Sequence, residues 1–119
     1  MTFVENKSGR DAGVDFAIWS DELGKIFGNP IIVEVKLGNF SSIQIRNIEE
    51  QLKRYSDKAD AKIAILIYLD KNKKRHKLQS SLSPLLFSYD LEDFIEDLLE
   101  VTFEKLVLNQ RNKIAHGLD

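Results

Sequence analysis

The chain has 119 residues, of which 43% are hydrophobic and 30% are charged, and its formal net charge is −2. This balance is typical of one globular domain rather than a disordered chain, and a nearly neutral chain has no general attraction for nucleic acid. It contains no cysteine, which excludes disulfides, a thiolate nucleophile and cysteine-ligated metal sites. The longest apolar run, residues 63–69, is far shorter than a membrane span, and no signal peptide is visible. We therefore expect a cytoplasmic protein without a membrane partner.

Alternating polar and apolar residues predict the first strands. Residues 2–5 form a short strand candidate, and residues 6–13 have the polar, glycine-containing character of a loop. Residues 14–19 and 31–37 alternate with a period of two, so each is predicted to be a strand. Residues 20–30 lie between them and are predicted to be a loop, because two glycines and a proline interrupt the segment.

A helix and a buried strand follow. Residues 42–58 carry an apolar stripe at spacings of three and four, which predicts an amphipathic helix with Ser41 or Ser42 as its N-cap. Residues 62–69 are almost entirely apolar and rich in isoleucine, which indicates a strand covered on both faces. The serine-rich residues 80–84 resemble a linker, although they are too few to separate two domains.

The last part of the chain predicts a strand and a long helix. Residues 85–89 are a shorter strand candidate. Asp90, with Asp93 three residues later, resembles a capping box that starts a helix running to about Leu108. The predicted fold class is therefore α/β or α+β, with a mixed central sheet flanked by helices. We expect a single domain over residues 1–119, with a core at about 9–90 and a C-terminal amphipathic helix within about 90–116.

Three charged residues interrupt the two alternating strands. Glu34 and Lys36 are two residues apart, so they project from the same face of their strand. If the two strands pair antiparallel, the start of the first lies beside the end of the second, which brings Asp15 close to both. Two carboxylates, with a backbone carbonyl such as that of Val35, are hard oxygen ligands that suit Mg²⁺ or Mn²⁺. Lys36 could then orient a metal-bound water or stabilise charge on a phosphoryl group.

These residues resemble the motif of the PD-(D/E)XK nuclease superfamily, whose members have the restriction-endonuclease-like fold. The segment of residues 9–15, GRDAGVD, is similar to the glycine-rich segment of Mrr-type restriction endonucleases, and residues 31–36, IIVEVK, supply the second half of the motif. The resemblance covers roughly residues 9–70. It implies a Mg²⁺- or Mn²⁺-dependent endonuclease of restriction, defence or repair type that cleaves DNA. Asp15 and Glu34 would bind the metal, Lys36 would assist the attacking water, and Gln51 would match the glutamine that many relatives carry on the following helix.

Other interpretations of these residues stay open. A surface hairpin with a cross-strand ion pair also carries Glu-x-Lys, and the same fold could serve as a non-catalytic dimerisation or nucleic-acid-binding module. Taken alone, Gln51 fits an ordinary helix-surface residue better than a site residue. The apolar face of the C-terminal helix is expected to join the core, and it also makes a homodimer credible.

A basic segment follows the buried strand. Its cations could contact nucleic-acid phosphates without sequence preference, or the segment could simply be solvated. They are Lys71, Lys73, Lys74, Arg75 and Lys77. His76, within the same segment, is expected to be a loop residue rather than a catalytic base.

The C-terminal residues 111–117, RNKIAHG, offer a second, weaker resemblance. Arg111 and His116 have the Arg-x4-His spacing of HEPN ribonucleases, which are helical bundles that cleave RNA at a dimer interface. Arg111 and His116 would then be the catalytic pair of an alternative, metal-independent ribonuclease. The favoured interpretation is a helix end, with cations near the negative pole of the helix dipole and Gly117 as the C-cap.

Overall fold

A computed structural model of the chain describes the backbone of residues 2–7 and 13–117 and the side chains of residues 16–117. Six strands form one sheet. They are β1 (Thr2–Lys7), β2 (Gly13–Trp19), β3 (Ile31–Gly38), β4 (Ile63–Asp70), β5 (Ser81–Leu82) and β6 (Leu85–Asp90). The order across the sheet is β1-β2-β3-β4-β6-β5.

Four helices accompany the sheet in the described part of the chain. They are α1 (Asp21–Phe27), α2 (Ser42–Ala59), α3 (Leu91–Leu98) and α4 (Phe103–Ala115). Each begins after a side chain that accepts a hydrogen bond from a backbone N–H of the first turn, which satisfies a donor that the helix itself cannot pair. These N-caps are Ser20, Ser41, Asp90 and Thr102.

The sheet is mixed, and its topology brings three strand ends together. β1, β2 and β3 form an antiparallel meander, whereas β3, β4 and β6 run parallel, with α2 connecting β3 to β4. Register pairs Gly38 with Asp70 and Tyr68 with Asp90. The carboxyl ends of β3, β4 and β6 therefore lie at the same edge of the sheet, which is where open α/β sheets commonly bind ligands.

Two apolar cores lie on opposite faces of the sheet. The first joins the sheet to α1, α3 and α4. Its fully or nearly fully buried members are Ile18, Leu23, Ile31, Val33, Ile63, Ile65, Ile67, Leu85, Phe87, Phe103 and Val107. The second joins the sheet to α2. Its members are Ile32, Ile45, Ile48, Leu52, Ala61, Ala64, Leu66, Tyr68, Leu78 and Leu86. β4 supplies both cores along its length, which explains why its sequence is a continuous apolar run.

The predicted fold class is confirmed, because the structure is a mixed sheet flanked by helices. The alternating segments are β2 and β3, and they pair antiparallel as predicted. The amphipathic segment is α2, whose N-cap Ser41 forms a capping box with Gln44. The first predicted strand extends to Lys7, and the glycine-rich residues 8–12 lie outside the described residues.

The prediction of a loop over residues 20–30 was wrong, because α1 occupies most of it. The sequence did carry a start signal, since the N-cap Ser20 is followed by two acidic residues. Gly24 argued against a helix, but its lack of a side chain serves tertiary packing here. A Cβ at Gly24 would lie 2.3 Å from Nδ2 of Asn29. The Asn29 side chain occupies that space and bonds the backbone of Ser20, with Ser20 N–H donating to Oδ1 at 3.0 Å.

The single C-terminal helix predicted from Asp90 to about Leu108 was also wrong. Asp90 is the N-cap as expected, but α3 ends at Leu98 and α4 begins after Thr102. The break lets α4 bury Phe103 and Val107 in the first core, while Leu99 stays 83% exposed. In one continuous helix, Phe103 and Val107 would be fixed to the same straight axis as Leu99. The short strand β5, in the serine-rich segment, was not predicted.

Among the described residues, none of the helices combines the length and the apolar character needed to cross a membrane.

Candidate active site

A buried ion pair interrupts the face of β3 that packs under α2. Glu34 is 2% exposed and Lys36 is 7% exposed. Lys36 Nζ lies 3.2 Å from Glu34 Oε1. Charged side chains are almost never this buried unless paired, because leaving water costs several kcal/mol per ion. A surface hairpin with a solvated Glu-x-Lys pair therefore does not describe this site. β3 is an interior strand, and the pair lies between its neighbours β2 and β4.

The strand register brings the third predicted residue to the same point. Asp15 is the direct partner of Glu34 in the antiparallel ladder, and Gly13 is the partner of Lys36. Directly opposed residues of such a ladder have Cβ atoms about 4.5–5.5 Å apart. The backbone juxtaposition of Asp15, Glu34 and Lys36 is thus the one that the sequence predicted, while the side chain of Asp15 lies outside the described residues.

Val35 can contribute to this site only through its backbone. Its side chain points away from Glu34 and Lys36, and packs against the first core. Residues 16–117 contain no group of three or more histidine, aspartate or glutamate side chains placed to hold a metal ion. Asp15 falls outside that range, so the predicted set of Asp15, Glu34 and the Val35 carbonyl stays a prediction.

An open cleft of about 310 Å³ lies beside Lys36, between the end of β3 and α2. Gln51 and Asn47 line it from α2, and Phe40 lines it from the connection that follows β3. Gln51 is half-buried and borders the same cleft as Lys36, although the two are 15 positions apart in sequence. The cleft reaches Lys36 of the buried ion pair and has room for a ligand.

The basic segment after β4 is held against α3. Lys73 forms an ion pair with Glu92, and Arg75 forms one with Asp93. These carboxylates accept hydrogen bonds from the two cations and raise the pKa of each. The other predicted phosphate contacts, Lys71, Lys74 and Lys77, are exposed. Lys73 and Arg75 are therefore already engaged by carboxylates of the same chain.

His76 has a structural setting that the sequence analysis missed. Its ring Nε2 lies 2.6 Å from Oδ2 of Asp70, a carboxylate only 1% exposed, and this hydrogen bond lowers the pKa of Asp70. His76 N–H donates to the Tyr68 hydroxyl, and the Ser88 hydroxyl donates to the His76 carbonyl. Its ring also makes T-shaped contacts with the rings of Tyr68 and Phe40. The available signal was Asp70 at the end of a buried strand, six residues before the only histidine nearby.

Burial raises the pKa of two tyrosines at this edge of the sheet. Burial raises the pKa of Tyr68, so its hydroxyl stays protonated, and the hydroxyl oxygen accepts a hydrogen bond from the His76 N–H. In Tyr89 burial acts together with a hydrogen bond from the hydroxyl to Asp97 on α3. Both hydroxyls border a cleft of about 550 Å³ between the basic segment and α3. They are fixed polar groups at the carboxyl ends of β4 and β6.

The Arg-x4-His pair lies at the end of α4, far along the chain from β3. Arg111 places its guanidinium over the ring of Phe27 on α1, with the carbon 5.9 Å from the ring centroid. His116 is the C-cap, and its backbone N–H bonds to the Asn112 carbonyl at 3.0 Å. The C-cap is therefore His116 and not the predicted Gly117, which follows it with a φ of 69°, the left-handed conformation of a helix end. These contacts describe a helix terminus, and the mixed sheet differs from the helical bundle of HEPN ribonucleases.

Comparisons with protein-family models, with curated proteins and with solved structures found no match to this chain.

Proposed function

We propose that this protein is a metal-dependent nuclease that hydrolyses DNA phosphodiester bonds, with a restriction-endonuclease-like core. One observation carries the proposal: Asp15 is register-paired with Glu34, whose buried carboxylate lies 3.2 Å from Lys36. Ion pairs are common at protein surfaces. Burying one costs desolvation energy that the attraction between the two charges often does not repay, so stability alone does not explain a buried pair. A strand-borne Asp, Glu and Lys beside an open cleft is the set that the family resemblance requires.

The donor set suits a hard divalent cation. Asp15 and Glu34 would hold Mg²⁺ or Mn²⁺ with the Val35 carbonyl, and the position of Glu34 already accommodates a positive charge at 3.2 Å. Such an ion polarises a phosphoryl oxygen and lowers the pKa of a bound water. Lys36 would orient that water and stabilise the negative charge that develops on the phosphoryl oxygens. Gln51, on the wall of the same cleft, would position a polar group of the substrate.

Plasmid cleavage assays test this proposal. The purified chain is incubated with plasmid DNA and Mg²⁺ or Mn²⁺, with parallel reactions in EDTA. Glu34→Gln should abolish cleavage by removing an anionic ligand, and Lys36→Met should slow it by about 10²–10³-fold, as loss of one transition-state donor does. Lys53→Met is the matched control, because Lys53 is 51% exposed in a pair on α2. Cleavage that survives both site substitutions, or no cleavage with any metal, would refute the proposal.

The same assay decides between the alternatives. RNA cleavage that persists in EDTA and disappears in His116→Ala would favour the HEPN-like ribonuclease. DNA binding without cleavage of either substrate would favour a non-catalytic module of the same fold.

We infer a cytoplasmic homodimer as the working form. The lack of cysteine fits a reducing compartment. Ile95, Leu98 and Leu99, at the end of α3, are apolar and exposed in the single chain. Light scattering tests the dimer: twice the chain mass is expected, and Leu98→Asp should return the protein to a monomer. A monomer at all concentrations would exclude it.

A further inference from the structure

We propose that the cleft between α2 and residues 71–80 binds the phosphate backbone of a nucleic-acid strand, and that Asp93 competes with those phosphates for Arg75. This cleft has a volume of about 520 Å³ and lies on the other side of α2 from the cleft that Lys36 lines. The inference rests on the proposed function for the identity of the strand, but binding here requires neither metal nor cleavage.

The walls of this cleft carry an excess of positive charge. Arg46 lines it from α2, and Arg75 and Lys77 line it from the opposite side. Its one lining carboxylate, Glu49, lies 3.4 Å from Lys53 Nζ. The chain as a whole is slightly acidic, so this is a local concentration of cations. The planar guanidinium of arginine can donate two parallel hydrogen bonds to the oxygens of one phosphate, and contacts with phosphates dominate the affinity of proteins for nucleic acid.

The segment that forms one wall is fixed in place. Asp70, Tyr68 and Ser88 each hydrogen-bond His76, and Leu78 is 2% exposed within the second core. The neighbouring cations Arg75 and Lys77 are therefore presented from an anchored backbone. A preformed wall lowers the entropy cost of binding an extended strand.

Arg75 stands at the boundary between two clefts. It lines the α2 cleft, and it also lines the cleft of about 550 Å³ on the α3 side, where Asp93 holds its guanidinium. Both partners are solvent-accessible, with side chains 71% and 39% exposed. Exposed ion pairs contribute little to stability, so a phosphate can replace Asp93 at low cost. Asp93 thus acts as an internal competitor for the same cation.

The two clefts are linked through Phe40. Its ring lines the cleft beside Lys36 and contacts the ring of His76, with centroids 5.6 Å apart. His76 borders the cationic cleft. A strand bound along Arg46 and Lys77 could therefore continue past Phe40 toward the candidate active site.

Fluorescence anisotropy in EDTA tests the inference separately from cleavage. A fluorescein-labelled DNA duplex, and the matching single strand, are titrated with the full chain between about 50 and 200 mM salt. Arg46→Ala and Lys77→Ala should each weaken binding and lower the slope of log K against log[salt] by ~0.9. Arg54→Ala, an exposed arginine on the same helix outside the cleft, should change neither quantity. Inorganic phosphate serves as a competitor that separates a phosphodiester strand from a single phosphate ligand.

A second pair of variants tests the role of Asp93. Asp93→Asn and Glu100→Gln remove the same charge, but only the first releases Arg75. Asp93→Asn should bind DNA about 2- to 5-fold more tightly than Glu100→Gln at low salt, the factor that an exposed ion pair is worth. Equal affinities for these two variants would overturn the competition.

The outcomes distinguish the inference from the proposed function. If cleavage fails in every metal but Arg46→Ala and Lys77→Ala lower the salt slope, the cleft is a nucleic-acid site and the nuclease proposal alone is wrong. If Arg54→Ala weakens binding as much as Arg46→Ala, the attraction is spread over the surface, and the proposal that the cleft is the binding site is refuted. Displacement of the DNA by millimolar inorganic phosphate, with no dependence on strand length, would replace the strand with a simple phosphate ligand.

Discussion

Replacing Lys36 by methionine should destabilise the protein strongly, and a divalent metal should restore part of the loss. Methionine keeps most of the buried aliphatic stem of lysine and removes its charge. The substitution takes away the cation that lies 3.2 Å from the Glu34 carboxylate, which is only 2% exposed. The remaining negative charge must then either stay buried, take up a proton or draw in water.

The size of this effect follows from the burial of the pair. Removing one member of a buried ion pair costs about 3–5 kcal/mol. A chain of 119 residues has an unfolding entropy near 0.25 kcal/mol/K, so the melting temperature should fall by about 12–20 °C. The matched change Lys53→Met breaks an exposed pair on α2, at 3.4 Å from Glu49, and should cost less than ~1 kcal/mol.

Thermal unfolding followed by circular dichroism measures both variants. In EDTA, Lys36→Met should melt far below Lys53→Met. Mn²⁺ should raise the melting temperature of Lys36→Met more than that of the Lys53→Met control, because the ion replaces a missing cation beside Glu34 and stabilises only the folded state. If Lys36→Met melts within about 2 °C of Lys53→Met, the pair is not the buried unit described here. If Mn²⁺ leaves both melting temperatures unchanged, the ion does not bind at Glu34.

Substitutions at three further positions test the local arguments. Gly24→Ala should destabilise the protein by about 1 kcal/mol in urea titrations despite a better helix former, since its Cβ displaces the Asn29 side chain and two hydrogen bonds; a more stable variant would contradict that packing. Thr102→Ala should cost about 1 kcal/mol and Thr102→Ser much less, because only the hydroxyl caps α4; equal losses would point to the methyl group. The hydrogen bond from His76 lowers the folded-state pKa of Asp70. The stability that the Asp70 carboxylate contributes is therefore complete above its unfolded pKa of about 3.9, and it is lost as the pH falls through the folded-state pKa. The difference in unfolding free energy between the native protein and Asp70→Asn should therefore be largest near pH 7 and should shrink as the pH falls below about 4; a difference that stays constant with pH would mean that the carboxylate charge does not contribute.

Patterns local in sequence determined most of the sheet and the location of the candidate site. The alternation in β2 and β3 specified which residues share a face, and the antiparallel pairing assumed for these two strands placed Asp15 beside Glu34 and Lys36. The apolar stripe of α2 and the continuous apolar run of β4 were equally readable. Each of these signals arises from one element facing a core, so a single stretch of sequence contains all of it.

Tertiary contacts decided the features that these patterns did not contain. Asn29 fills the space beside Gly24 in α1, and the break between α3 and α4 accompanies the burial of Phe103 in the first core. His76 acquires its partners only when the basic segment folds back over the ends of β4 and β6. The burial of Glu34 and Lys36 likewise depends on α2 and the neighbouring strands covering an otherwise ordinary Glu-x-Lys. Contacts between distant segments set the space, the burial and the charge around a residue, and local periodicity carries no information about them.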